Sequence, residues 1–151
     1  MDIDLATIAI IGANVVISLR GFNNISFFER YKFNIGAIKA GQKDRMVTSG
    51  FLHVDITHLF FNMFTLYFFA RVVINWFGEG KFLVMYFVSL LAGSLLALVF
   101  HKNEPQYSAV GASGAVTGIL YSAILLQPNM QLGIMFIPIP FPAYVFGIVY
   151  L

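Results

Sequence analysis

No charged residue follows Glu104, and before it the charges gather in clusters that leave long apolar runs between them. Leu5 to Leu19 is charge-free, Ile56 to Phe77 is interrupted only by Arg71, and Phe82 to Phe100 is charge-free again. A transmembrane helix needs about 20 such residues, with about 17 as the lower limit. A soluble domain carries about a quarter charged residues, whereas this chain has 11% charged and 59% hydrophobic residues. In water it would expose large apolar patches. The expected class is therefore all-α, a polytopic membrane helical bundle in the lipid bilayer.

The first span, Leu5–Leu19, is extended by Ile3 and reads as retained, because Met1-Asp2-Ile3-Asp4 is not the basic start of a signal peptide. A long loop, about residues 20–55, follows. It holds Arg20, Arg30, Lys32, Lys39, Lys43 and Arg45 among Phe22, Phe27, Phe28, Tyr31 and Phe33. Basic plus aromatic residues suit a segment lying at the membrane interface, and an ordinary solvated loop is the alternative. The second and third spans are residues 56–77 and 82–100, with Arg71 snorkelling from its position near a helix end. The fourth is 107–126, closed by the turn signal Gln127-Pro128-Asn129-Met130-Gln131.

A fifth span begins at Leu132, but the alternate prolines of Ile137–Pro142 exclude regular helix there. Pro142 suits a first helical turn, leaving about ten residues, or roughly 15 Å of helix, against a hydrocarbon core of about 30 Å. The expectation is a C-terminally truncated chain. There is no Cys, which excludes disulfides and thiolate zinc sites. A net charge of +2 gives no nucleic-acid signal.

Polar groups inside spans are costly and call for a reason. One cluster, His53-Val54-Asp55-Ile56-Thr57-His58-Leu59-Phe60-Phe61-Asn62, opens the second span; another, Gly111-Ala112-Ser113-Gly114, lies near the start of the fourth. Alternating topology puts both on the side of the long loop. Asn62 and Ser113 each stand about six residues in, roughly 9 Å deep. His58 and Asn62 are four apart, hence on one helix face, and both can donate hydrogen bonds. Near a helix start, free N–H groups and the helix dipole favour developing negative charge beside Ser113. Glycines flanking the serine allow close approach. The constellation describes a serine nucleophile with an oxyanion hole. His53 and His58, five apart, lie on different faces without a third ligand, so no metal is expected.

The paired His58-Leu59-Phe60-Phe61-Asn62 and Gly111-Ala112-Ser113-Gly114 motifs, with Arg45, His53 and Gly78-Glu79-Gly80-Lys81, resemble the rhomboid family of intramembrane serine proteases from about Arg45 onward. That resemblance implies a six-helix core, about five helices of which are present here. It implies Ser113 as nucleophile, and His58, Asn62 and the Ser113 N–H as oxyanion donors. It gives Arg45 and His53 structural roles around the first loop. It also implies transmembrane protein segments as substrates, no cofactor, and a multi-pass protein of the bacterial inner membrane with its site facing outside. The Lys/Arg count would instead put the long loop in the cytoplasm; the outside reading is adopted. The family's general base is a His in the sixth helix. His53, His58 and His101 are the chain's only histidines and none is assigned as base, so residues 1–151 alone are expected to be inactive. Asp44 and Thr117 stand where the family often has aromatic residues.

Three rivals frame the test. Gly114-x-x-x-Gly118 is also a helix-packing motif, in which Ser113 would be one more small interface residue; Gly93, Ser94 and Ala97 read as packing residues. A non-catalytic rhomboid-like protein that binds transmembrane clients is the alternative function. A transporter or channel would show charged positions along a path, and none follows Glu104.

Overall fold

The computed structural model describes residues 4–134 and 137–150, so the expected contribution of Ile3 to the first span lies outside the described residues, as does Leu151. The first helix, α1 (Leu5–Asn23), runs one turn past the apolar stretch. Arg20 does not end it, because its guanidinium lies over the Phe27 ring, 4.6 Å from the centroid. At the other end the Ala6 N–H donates to Glu79 Oε2 at 2.8 Å. This satisfies one of the four N–H groups a helix start leaves free, with a carboxylate at the positive end of the dipole. The buried face of α1 is Ala6, Thr7, Ile10, Asn14, Ser18 and Gly21, a stripe at helical spacing.

The long loop is a folded substructure. It contains α2 (Ile25–Tyr31), β1 (Phe33–Asn34), α3 (Ile35–Lys39), α4 (Arg45–Thr48) and a 3₁₀ turn, Ser49–Phe51. Asn24 and Asn34 cap α2 and α3 by accepting from Phe27 N–H and Ala37 N–H. Arg45 is buried and serves as the loop's central tie. Its Nη1 donates to the carbonyls of Glu29 (3.0 Å) and Lys32 (2.8 Å), and its Nε to Gln42 Oε1 (2.7 Å).

The second and third expected spans form one assigned helix, α5 (Ile56–Phe100), broken at Gly78, whose φ of 82° and ψ of 165° are not helical. A positive φ is readily adopted only by glycine. Each arm is about 33 Å long, enough to cross a bilayer. Glu79 meets Ala6 while Tyr86 OH meets Asn14 Nδ2 at 3.2 Å, so the second arm runs parallel to α1. It then passes α6 (Ser113–Leu126) in the opposite sense, with Gly93 against Gly114 and Ser89 against Gly118. A Cβ on Gly118 would stand 2.4 Å from Ser89 Cβ. Small residues thus set the closest helix approach, as membrane packing requires where burial of apolar surface supplies no drive. The core around this crossing is Leu66, Val73, Phe82, Tyr86, Ile119 and Leu120.

Two expectations need correcting. The fourth helix begins at Ser113, not at 107, because β2 (Ser108–Ala109) is drawn into antiparallel pairing with β1, Phe33 opposite Ala109 and Asn34 opposite Ser108. The chain is also not all-α at its far end. β3 (Gln131–Ile134) and β4 (Ile137–Pro142) form an antiparallel hairpin before α7 (Ala143–Tyr150), so no continuous fifth span starts at Leu132. Alternate prolines fit a strand that pairs on one edge, since only every second N–H faces the partner. Pro142 ends β4 rather than opening the helix. α7 packs on α6 through Tyr121 OH, which donates to Gly147 O at 2.7 Å, and on the first arm of α5 through the Phe69–Phe146 ring stack.

Candidate active site at the start of α6

Asp55 accepts the His58 N–H at 2.7 Å, capping α5 and placing His58 in its first turn. Asn62 follows one turn deeper on the same face; it is buried and its Nδ2 donates to His58 O at 3.2 Å. An amide NH₂ carries two donor hydrogens, so one is left over. His58 Nδ1 is buried without a partner among the described residues.

The segment before Ser113 is held extended by the loop substructure. Ile35 N–H and Gly36 N–H donate to the carbonyls of Tyr107 and Pro105, and Gly111 N–H donates to Ser49 O at 3.0 Å. The His101 ring stacks on Tyr107 with centroids 3.6 Å apart and bonds Glu104 through Nδ1. Gly111 then turns the chain with φ +127°. A Cβ there would lie 2.8 Å from His58 Cε1, 3.0 Å from His58 Nε2 and 3.8 Å from Ser113 Oγ. The His58 ring and the Ser113 hydroxyl therefore both lie within 4 Å of one point, and the ring leaves no room there for a side chain at position 111.

Ser113 opens α6 with no side-chain cap, and its Oγ has no hydrogen-bond partner among the described residues. The N–H groups of Ser113, Gly114 and Ala115 precede the first helical bond, Val116 N–H to Ala112 O at 2.9 Å. They form a free, positively polarised helix start. Ser113 and Gly114 are both exposed, but Gly114 and Gly118 lie against Gly93 and Ser89 of α5. The packing reading therefore accounts for the glycines and not for the serine. A cleft of about 190 Å³, walled by Phe33, Ser49, Leu90, Gly93 and Ala109, opens beside it.

His53 lies ahead of α5, not on the span as its sequence position suggested, and it is fully buried. Its Nδ1 stands 2.8 Å from Ser18 Oγ, which donates to Phe51 O at 2.9 Å. Its Nε2 accepts the Ala112 N–H at 3.4 Å. Burial, with the neighbouring His58 imidazole, pushes its pKa down to about 4. Sequence reasoning missed Ser18. It is an ordinary small residue in an apolar helix, and only its place on the buried stripe of α1 hinted at a role.

Comparisons with known proteins identify the family. Residues 40–151 match the Rhomboid domain family. The chain is 31% identical to RHOMBOID-like protein 12, mitochondrial, of Arabidopsis thaliana, over 93% of this chain and 46% of that protein. It is 35% identical to Inactive RHOMBOID-like protein 8 of the same plant, over 57% of this chain and 24% of that protein. It is 36% identical to Rhomboid protease GluP of Bacillus subtilis (strain 168), over 55% of this chain and 16% of that protein. The chain belongs to the rhomboid family, and its fold is that of a polytopic helical membrane protein. It spans less than half the length of these three relatives.

Proposed function

We propose that this chain carries the nucleophile and oxyanion donors of an intramembrane serine endopeptidase that cleaves transmembrane segments of membrane proteins. Ser113 Oγ attacks the scissile carbonyl. The Ser113 N–H, His58 and Asn62 hold the oxyanion, each donor contributing roughly 10²–10³ in rate. The observation that carries this reading is the convergence of the His58 ring and Ser113 Oγ on the space beside Gly111.

The three histidines are otherwise committed. His53 has both nitrogens engaged, His101 is stacked on Tyr107, and His58 serves as donor. The rhomboid resemblance implies a histidine base in the last of six core helices, and this reading takes the base from there, with residues 1–151 supplying about five of the six. The loop of residues 24–55 lies at the membrane interface. In this reading the site faces outward from a bacterial inner membrane, although several relatives are named mitochondrial.

The test is cleavage of a transmembrane substrate with a helix-breaking residue near the membrane surface, by the whole protein as expressed from its gene. Cleavage lost in Ser113→Ala supports the reading; equal cleavage by Ser113→Ala overturns it. Cleavage by residues 1–151 alone would contradict the assignment of the base. The similarity to a protein named inactive favours one second reading, a non-catalytic binder of transmembrane clients. Capture of a substrate helix without cleavage by the whole protein would establish it.

A further inference from the structure

We infer that Ser18, on α1, is a positioning residue for Ser113 that acts through His53. The inference rests on the nucleophile's role proposed above. A serine hydroxyl has one hydrogen. Ser18 Oγ donates it to Phe51 O at 2.9 Å, so the contact to His53 Nδ1 at 2.8 Å has the imidazole as donor. His53 is therefore the Nδ1–H tautomer, its Nε2 is bare, and that nitrogen accepts the Ala112 N–H. A protonated ring, or the other tautomer, would set an N–H against an N–H at this point.

Ala112 is held on both sides. Its N–H is fixed by His53, and its carbonyl accepts Val116 N–H at 2.9 Å. In a planar trans peptide the Ser113 N–H points opposite to the Ala112 carbonyl. Fixing the two peptide planes that meet at Ala112 therefore fixes the direction of the Ser113 N–H and the start of its side chain. Gly111, just before, has the conformational freedom that this anchoring restrains. The chain of contacts runs Phe51 O, Ser18 Oγ, His53, Ala112 N–H. Ser18, His53 and Ala112 are all fully buried. It ties α1 to the start of α6 across the loop without touching a reacting atom.

The experiment has two arms. ¹⁵N NMR of the His53 ring in detergent-solubilised chain reads the tautomer: Nδ1–H supports the inference and Nε2–H overturns it, whatever the activity. In the whole protein, the rate of Ser113 modification by a fluorophosphonate is compared for wild type, Ser18→Ala and Ser18→Thr. Ser18→Ala should slow modification about ten- to a hundredfold, the scale of a small misplacement of reacting groups, and mix the His53 tautomers. Ser18→Thr, which keeps the hydroxyl, should restore both. Folded Ser18→Ala that reacts at the wild-type rate with an unchanged tautomer overturns the inference, as does a folded Ser18→Thr that fails like alanine. If wild type is not modified at Ser113, the nucleophile reading fails, while the tautomer arm still decides whether His53 is set by Ser18.

Discussion

Replacing Gly111 by alanine should damage the site in two separable ways. The backbone there has φ +127°, and holding a side-chain-bearing residue in such a region costs about 1–3 kcal/mol. The new Cβ would also sit 2.8 Å from His58 Cε1. Carbon atoms prefer about 3.5–4.0 Å, so His58 must retreat by roughly an ångström. Misplacement on that scale can cost about 10²-fold in rate. The expected result is a loss of about 1–3 kcal/mol in unfolding stability, together with a roughly hundredfold slower reaction of Ser113 with an isocoumarin. Gly12→Ala is the control. Nothing lies within 4 Å of its added Cβ, and its backbone is that of regular helix. It should leave reactivity unchanged and stabilise by about 0.4–1 kcal/mol. A Gly111→Ala protein as stable and as reactive as wild type would refute the claim that His58 and the Ser113 hydroxyl share that space.

Other expectations follow from single contacts. Gly118→Ala should destabilise the α5–α6 pair by about 1–3 kcal/mol in thermal unfolding, because its Cβ meets Ser89 Cβ at 2.4 Å; adding Ser89→Gly should recover most of the loss. His53 has its pKa depressed to about 4 from 6.5, so between those values the unfolded chain takes up a proton that the folded chain refuses. Its contribution to stability is thus full above pH 6.5, falls as pH drops toward 4 and is level below. The total is at most roughly 3–4 kcal/mol at about 1.4 per unit, and a chain carrying His53→Asn should lack that part of the slope. Arg45→Lys should not substitute for arginine, since one ammonium cannot reproduce the fork that reaches Gln42, Glu29 O and Lys32 O. Hydrogen exchange should rise through residues 24–48 while α5 and α6 stay protected.

The spans were legible wherever a local pattern decided them. Long apolar runs bounded by charge clusters gave residues 56–77 and 82–100, and the break between them falls at Gly78 because that backbone needs a positive φ. The meeting of the two polar motifs was also legible, since alternating topology alone puts Ser113 and His58 on one side. What local pattern could not supply was any element made by a distant partner. Residues 107–112 look helical by composition, yet Phe33 and Asn34 pair with Ala109 and Ser108 and hold them extended. The equal-depth argument between Asn62 and Ser113 therefore counted from the wrong helix start, while the His58 ring does lie beside Gly111. Arg20 was read as a boundary because it is charged, although Phe27 shelters it within α1. The alternate prolines excluded helix, but a hairpin needed Gln131–Ile134 as partner. His53 and Ser18 acquire their roles only when α1, the loop and α6 are brought within hydrogen-bond distance.

The central claim is that Ser113 is a nucleophile whose oxyanion is held by His58 beside Gly111. Its most direct test is the site and rate of fluorophosphonate attachment in the whole protein, read by mass spectrometry. The account predicts a single adduct on Ser113, absent in Ser113→Ala and slowed roughly 10²–10³ by His58→Ala. An adduct elsewhere, or one on Ser113 whose rate ignores His58→Ala, would contradict it.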